Sequence, residues 1–380
     1  MIEPRFPSQG TTIFTVMSAL ANEHKAINLS QGFPDFPIDE RLARLVAEAI
    51  GGGFNQYAPM AGLPALRHAI AEKIRHFQQV IVDPDTEITV TPGATYALYT
   101  AFTSILRPGD EVIVLEPAYD SYIPNIYTNG ARPVTVPLDP TDFSVDWEKV
   151  FAAANEKTRA IVINNPHNPC GSTWQETDFG QLERLVAKFG LYVIADEVYE
   201  HIVFDGKAHC SVVRFPELRA RSFVVCSFGK AFHSTGWKMG YCVAPPALTQ
   251  AFRQLHQYLA FSVNTPMQQA IACYLETPGP LTETAAMLQH KRDFFLQQMQ
   301  DTGFTFSKPA QGSYFQVMHY DAISDLPDKE FAVWLTKEHG VATIPLSSFY
   351  QVPATQRSVR FCFAKKEETL QAAAARLRFL

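Results

Sequence analysis

Between residues 87 and 244 the chain repeats one pattern. A short β-prone apolar run ends in a polar break rich in Gly or Pro, and helical spacing follows in places. The strand-like runs are Glu87–Thr91, Glu111–Leu115, Pro133–Val136, Arg159–Asn164, Leu191–Asp196, Phe223–Ser227 and Met239–Ala244. Helical spacing fills Ala94–Leu106 and Thr177–Phe189. Alternation of this kind predicts an open α/β fold: a mostly parallel seven-stranded sheet with helices on both faces. The last two runs are joined by about twelve residues without helical periodicity, near the lower limit for a parallel crossover, so the final strand is expected to be antiparallel.

Outside that region the periodicity changes. An amphipathic segment near Thr15–Glu23 precedes a Gly- and Pro-rich loop from Asn28 to Pro37. Helical patterns follow at Asp39–Ile50 and Leu63–Phe77, and Gly51-Gly52-Gly53 reads as a helix stop rather than a dinucleotide fingerprint, because no strand precedes it. After Pro245 the spacing is helical at Ala247–Tyr258, Pro266–Glu276 and Leu281–Thr302. Short strands at Tyr314–Met318 and Val359–Ala364 then mix with helices at Asp328–His339 and Glu367–Leu380, as in a smaller α+β domain. The expected division is an N-terminal segment over 1–30 packing with the small domain, a large domain over 31–280, and a small domain over 281–380 that includes the long connecting helix.

Composition narrows the class. The hydrophobic fraction of 47% and charged fraction of 18% suit a globular chain, and the net charge of −6 comes without a basic cluster. Nucleic acid and anionic membrane are therefore not expected as main partners. No apolar run approaches the ~20 residues a membrane span needs. Thr11–Ala21 imitates a signal peptide ending in Ala19-Leu20-Ala21, but Glu3 offsets Arg5 and threonines interrupt the apolar part. The six cysteines, at 170, 210, 226, 242, 273 and 362, form no C-x-x-C pair and are expected as reduced thiols in a cytoplasmic protein.

Ligands of open α/β sheets bind beyond the carboxyl ends of the strands. The groups standing there are Gly93-Ala94-Thr95 at a helix start, Tyr119, Asn168, Asp196 with Tyr199, and Ser227 with Lys230. Gly236, Lys238 and Gly240 follow closely. Each has a plain structural alternative: a turn for the glycines and Asn168, a core position for Tyr119. Asp196-Glu197 imitates a Walker B acid, yet no G-x-x-x-x-G-K-[ST] exists. Ser227-x-x-Lys230 imitates an acyl-serine hydrolase pair, but the companion K-T-G is missing. Such a hydrolase would be labelled at Ser227 by a β-lactam.

Pyridoxal 5′-phosphate uses all of these groups together. Lys230 supplies the amine, Asp196 the carboxylate for the ring nitrogen, and Tyr199 with Asn168 can reach the ring oxygen. Ser227, Lys238 and the helix start at Ala94 and Thr95 suit the phosphate. Arg360, a lone guanidinium in the apolar run Val359–Ala364, needs a carboxylate, which a structural Asp or Glu supplies as well as the α-carboxylate of an amino acid.

The set N-P-x-G (Asn168–Gly171), D-E-x-Y (Asp196–Tyr199) and S-x-G-K…G-x-K-x-G (Ser227–Lys230, Gly236–Gly240) resembles class I/II aminotransferases of fold type I, nearly end to end. Residues 31–36, 55–57 and 359–363 resemble the kynurenine/glutamine aminotransferase branch, and within it the bacterial methionine aminotransferases. The resemblance implies that Lys230 bonds to the cofactor and shuttles a proton, and that Asp196 pairs with the pyridine nitrogen. It implies that Tyr199 and Asn168 contact the ring oxygen and that Tyr119 stacks on the ring. Ala94, Thr95, Ser227 and Lys238 would bind the phosphate, joined by Tyr57 from a second subunit, hence a homodimer with shared sites. Arg360 would clamp the substrate carboxylate, with Gly32 and Asn168 assisting. Two departures are Thr95, where relatives often carry an aromatic residue, and His167 before Asn168.

The expected activity is a ping-pong transamination from methionine, aromatic amino acids or glutamine to a 2-oxo acid. A C–S β-lyase acting on cysteine conjugates shares the motifs and differs in the fate of the carbanion. A non-catalytic effector-binding module would need a DNA-binding domain, and only about thirty residues precede the Gln31-Gly32 loop.

Overall fold

The computed structural model describes residues 10–352, 356–378 and 380; Glu3, Arg5 and Phe379 of the readings above lie outside them. Seven strands form the main sheet: β1 (Ile88–Thr91), β2 (Glu111–Glu116), β3 (Arg132–Pro137), β4 (Thr158–Asn164), β5 (Tyr192–Asp196), β6 (Ser222–Ser227) and β7 (Gly240–Val243). Their order is β1-β7-β6-β5-β4-β2-β3. Pairing is parallel from β6 through β3, and β7 is antiparallel to both of its neighbours, as expected.

The strands read as near-continuous apolar runs because both faces are covered. Val112 and Val114 of β2 pack in one cluster with helices Ala94–Ile105 and Pro246–Leu259, while Ile113 and Leu115 join another with Pro64–Gln78 and Glu176–Phe189. Each such side chain contributes about 1.5–3 kcal/mol on burial, so a polar residue at either parity is costly.

A three-stranded antiparallel sheet lies beyond residue 281: β8 (Phe315–His319), β9 (Ile344–Pro345) and β10 (Ser358–Cys362), in the order β9-β10-β8. Its core combines Phe361 and Val359 with Phe331, Leu370 and Phe295 from the surrounding helices, and it also takes in Val198 and Tyr199 from the turn after β5. That turn therefore ends a strand of the larger sheet and packs with the core of the smaller one. The N-terminal helix Ile13–Glu23 buries Met17 with Val317, Ala332 and Ile344, and Ile27–Asn28 pairs with Val341–Ala342. The segment that imitates a signal peptide is thus a packed part of the fold.

Boundaries differ modestly from the sequence reading. The long helix runs Gly279–Gln298 with a 3₁₀ turn at Met299–Asp301, and the last helix is Glu367–Leu377. Asp39 caps helix Glu40–Gly51 by accepting from the Arg41 and Leu42 N–H groups, and Gly53 turns the chain away at φ +89°. Helices Tyr122–Thr128 and Trp147–Ala153 were not anticipated. The first is 7 residues long with Pro124 in its opening turn, and the second, also 7 residues, buries only Val150, so neither is long enough to show a helical period.

Candidate active site

The antiparallel strand β7 assembles one half of the site. Gly240 pairs with Thr91 on one side and Ser227 on the other, which sets the end of β1 beside the end of β6. A Cβ at Gly240 would sit 2.7 Å from the Cys226 carbonyl oxygen and 3.1 Å from the Ala94 nitrogen, so no larger residue fits this seam. Gly93 opens helix Ala94–Ile105 at φ +87° with no side-chain cap, which leaves the first N–H groups available. Lys238 leans over that helix start, its Nζ 3.5 Å from where a Gly93 Cβ would be. Thr95, Ser227 and Lys238 line one cavity of about 310 Å³. Hydroxyls, an ammonium and a helix N-terminus converge there, a donor set that suits a phosphate ester.

The same cavity is walled by Asp196, Lys230 and Tyr119. Asp196 ends β5 and is buried; its Oδ2 accepts from the Tyr122 hydroxyl at 2.7 Å and its Oδ1 from the Val198 N–H at 3.3 Å. Burial pushes its carboxyl up to about 6, against those two hydrogen bonds and the attraction of Lys230. A cationic partner inside the cavity would relieve that burial cost. Lys230 stands on the short helix Phe228–Ala231 after β6. Burial brings its amine down to about 8, with Cys362 and Asp196 opposing the change. Its Nζ donates to the Tyr314 hydroxyl at 3.1 Å and reaches the Gly32 carbonyl at 3.5 Å. An amine that titrates near neutrality can serve as a nucleophile and as a base.

Arg360 closes the far side from β10. It is 1% exposed. Its Nη1 donates to Asn168 Oδ1 at 2.8 Å and its Nη2 to the Ser30 carbonyl at 2.7 Å, while Nε is buried without a partner among the described residues. The guanidinium lies 3.9 Å from the centre of the Phe315 ring. No ion pair joins it to an Asp or Glu among the described residues. The structural alternative for Arg360 therefore lacks its partner. The Asn168 backbone N–H is fixed in turn by Asn164 Oδ1 at 2.7 Å, and Asn164 Nδ2 holds the Asp196 carbonyl.

Gly32, Ala94, Thr95, Tyr119, Asn168, Asp196, Tyr199, Ser227, Lys230, Lys238 and Arg360 thus share one cavity wall. Tyr57 does not join them: it is 82% exposed and packs edge-on against Phe261 at the surface. Tyr122 and Tyr314, which touch Asp196 and Lys230, were not singled out from the sequence, nor was Phe14, which lines the cavity beside Arg360. His167 is buried, and burial lowers its imidazole to about 4. Glu197, adjacent to Asp196, is bound up with His209 at 2.9 Å and the Val212 N–H.

The profile of the family described as aminotransferase class I and II matches residues 24–377. The chain belongs to that family. Its members depend on pyridoxal phosphate. The chain is 48% identical over 379 residues to a methionine aminotransferase of Escherichia coli, spanning 100% of this chain and 98% of that protein. It is 35% identical to a kynurenine–oxoglutarate transaminase of Dictyostelium discoideum, over 96% and 93% of the two chains. The crystal structure of YbdL from Escherichia coli, identified as a methionine aminotransferase, superposes with a TM-score of 0.97 over 100% of both chains at 48% identity. The resemblance seen in the N-P-x-G, D-E-x-Y and S-x-G-K motifs is borne out, as is the expected fold.

Proposed function

We propose that this aminotransferase moves the amino group of methionine, and also of aromatic amino acids and glutamine, to a 2-oxo acid by a ping-pong mechanism. The donor assignment draws on the relatives named for methionine. The observation that carries the reading is Arg360, a buried guanidinium with no ion-pair partner among the described residues, in the cavity that also holds Lys230 and Asp196. It suits an α-carboxylate.

Pyridoxal 5′-phosphate supplies an aldehyde and an electron-withdrawing ring that eases removal of the proton from Cα. Lys230 Nζ would be the amine that holds the cofactor at rest and, when free, the base that takes the substrate Cα proton and hands it on. Asp196, its position set by Tyr122, would hold the ring nitrogen protonated. Tyr199 and Asn168 would contact the ring oxygen, and Tyr119 would stack on the ring. Ala94, Thr95, Ser227 and Lys238 would hold the phosphate, with Tyr57 reaching in from a second subunit of a homodimer. Gly32 and Asn168 assist Arg360 in placing the substrate. The division into 1–30, 31–280 and 281–380 puts the cavity between the two larger parts. No described helix is long and apolar enough to cross a membrane, and the six cysteines carry free thiols, which fits a reducing, cytoplasmic setting.

The Lys230→Ala variant is expected to lose transamination of methionine, measured as 2-oxo acid formed in the presence of an acceptor. Full activity in that variant would overturn the mechanism.

A further inference from the structure

Tyr314 has no place in the sequence-derived site, yet it makes the hydrogen bond that orients Lys230. It is buried behind the cavity wall, at the residue before β8. Its hydroxyl proton is committed: it donates to the Gly32 carbonyl at 2.6 Å. Only lone pairs are left to face Lys230, so the 3.1 Å contact has Lys230 as donor and Tyr314 as acceptor. Burial raises the Tyr314 phenol well above its ordinary value, so it stays protonated and does not compete as a base.

We propose that Tyr314 is a positioning residue for Lys230, taking an N–H of the free amine from behind the wall so that its lone pair faces the cavity. A neutral amine has two N–H groups and one lone pair. Tyr314 Oη at 3.1 Å accepts one N–H, and the Gly32 carbonyl, 3.5 Å from Nζ, lies on the same side. With that N–H held behind the wall, the lone pair is left free to face the cavity. When Lys230 takes the Cα proton it becomes an ammonium, and the Tyr314 oxygen strengthens its hold on the charged form; when the proton is handed on, the lone pair is restored in the same direction. The T-shaped contact of Tyr314 with Tyr199, ring centres 5.1 Å apart, keeps the hydroxyl in place.

This inference rests on Lys230 being the covalent amine. The test compares the parent enzyme with Tyr314→Phe, which keeps the ring and removes one oxygen. Both are loaded with cofactor and given methionine without an oxo acid, which frees Lys230. Trace acetic anhydride labelling at a series of pH values, read by peptide mass spectrometry, gives the titration midpoint of Lys230 without turnover. The variant is expected to show a midpoint lower by about one pH unit, because the ammonium loses a charge-assisted acceptor. Its kcat should fall about tenfold with KM for methionine within about twofold. An unchanged midpoint, or an unchanged kcat, overturns the proposal. If Tyr314→Phe does not fold, 3,5-difluorotyrosine at 314 weakens the acceptor at nearly constant volume; a lowered midpoint supports the proposal and an unchanged one overturns it. Failure of the covalent-amine reading is seen separately, as transamination retained by Lys230→Ala.

Discussion

Arg360 keeps a full charge where almost no water reaches, and two neutral oxygens are its only hydrogen-bond acceptors among the described residues. Burial pulls its guanidinium down to about 10, with Cys362 and Tyr199 opposing. An apolar side chain at this position would shed that desolvation cost while losing two hydrogen bonds of about 1.5–3 kcal/mol each, so the two effects nearly cancel. Arg360→Met should therefore change the midpoint of thermal unfolding by only a few degrees. Its kcat/KM for methionine should fall on the order of 10²–10³, the effect of losing a buried charged pair with substrate. A large loss of stability with substrate capture intact would show that Arg360 is structural. Residues of this kind were legible because a lone charge in an apolar run is conspicuous. Tyr122 and Tyr314 were not, since a tyrosine in an apolar run looks like core. Their partners, Asp196 and Gly32, lie 74 and 282 positions away in sequence.

Elements were legible where burial made their pattern one-sided or continuous. The parallel strands announced themselves as apolar runs, and the missing crossover helix before β7 announced its reversed direction. Two-residue strands such as Ile27–Asn28 and Val341–Ala342 carry no periodicity at all, and only their pairing defines them. The same holds for a buried polar link between elements. Lys73 of helix Pro64–Gln78 donates to Glu200 Oε1 at 2.6 Å and contacts the Tyr241 hydroxyl, which itself donates to Glu200 at 2.6 Å. The link ties that helix to the turn carrying Tyr199 and to β7 beside Gly240. The Lys73 ammonium keeps the buried Glu200 carboxyl well below its ordinary value, against the cost of burial. Lys73→Met leaves that carboxylate without its cation and should cost about 3–5 kcal/mol in urea unfolding at neutral pH. Lys73→Met combined with Glu200→Gln should recover most of the loss. If the single variant matched the parent, the link would contribute nothing to stability.

At the scale of the whole molecule, the proposed phosphate site calls for Tyr57 from a second subunit, since Tyr57 of the same chain does not line the cavity. Tyr57 stands 82% exposed on a surface that also presents Phe261 at 55% and Tyr258 at 85%. An exposed aromatic pair such as Tyr57 and Phe261 favours burial against another protein surface, and a twofold dimer buries the same patch on both copies. A second copy seated there would carry Tyr57 of each subunit toward the other's phosphate site. The arrangement can be tested by mixing two defective chains, Lys230→Ala and Tyr57→Ala, after dissociation and reassociation. Each mixed dimer would hold one site with neither defect, built from Lys230 of one chain and Tyr57 of the other, and one site with both. With random pairing half the dimers are mixed, so activity should rise to about a quarter of the parent's, well above either variant alone. If Tyr57 served the site of its own chain, every site in the mixture would keep one defect. Mixing would then add nothing beyond the average of the two variants.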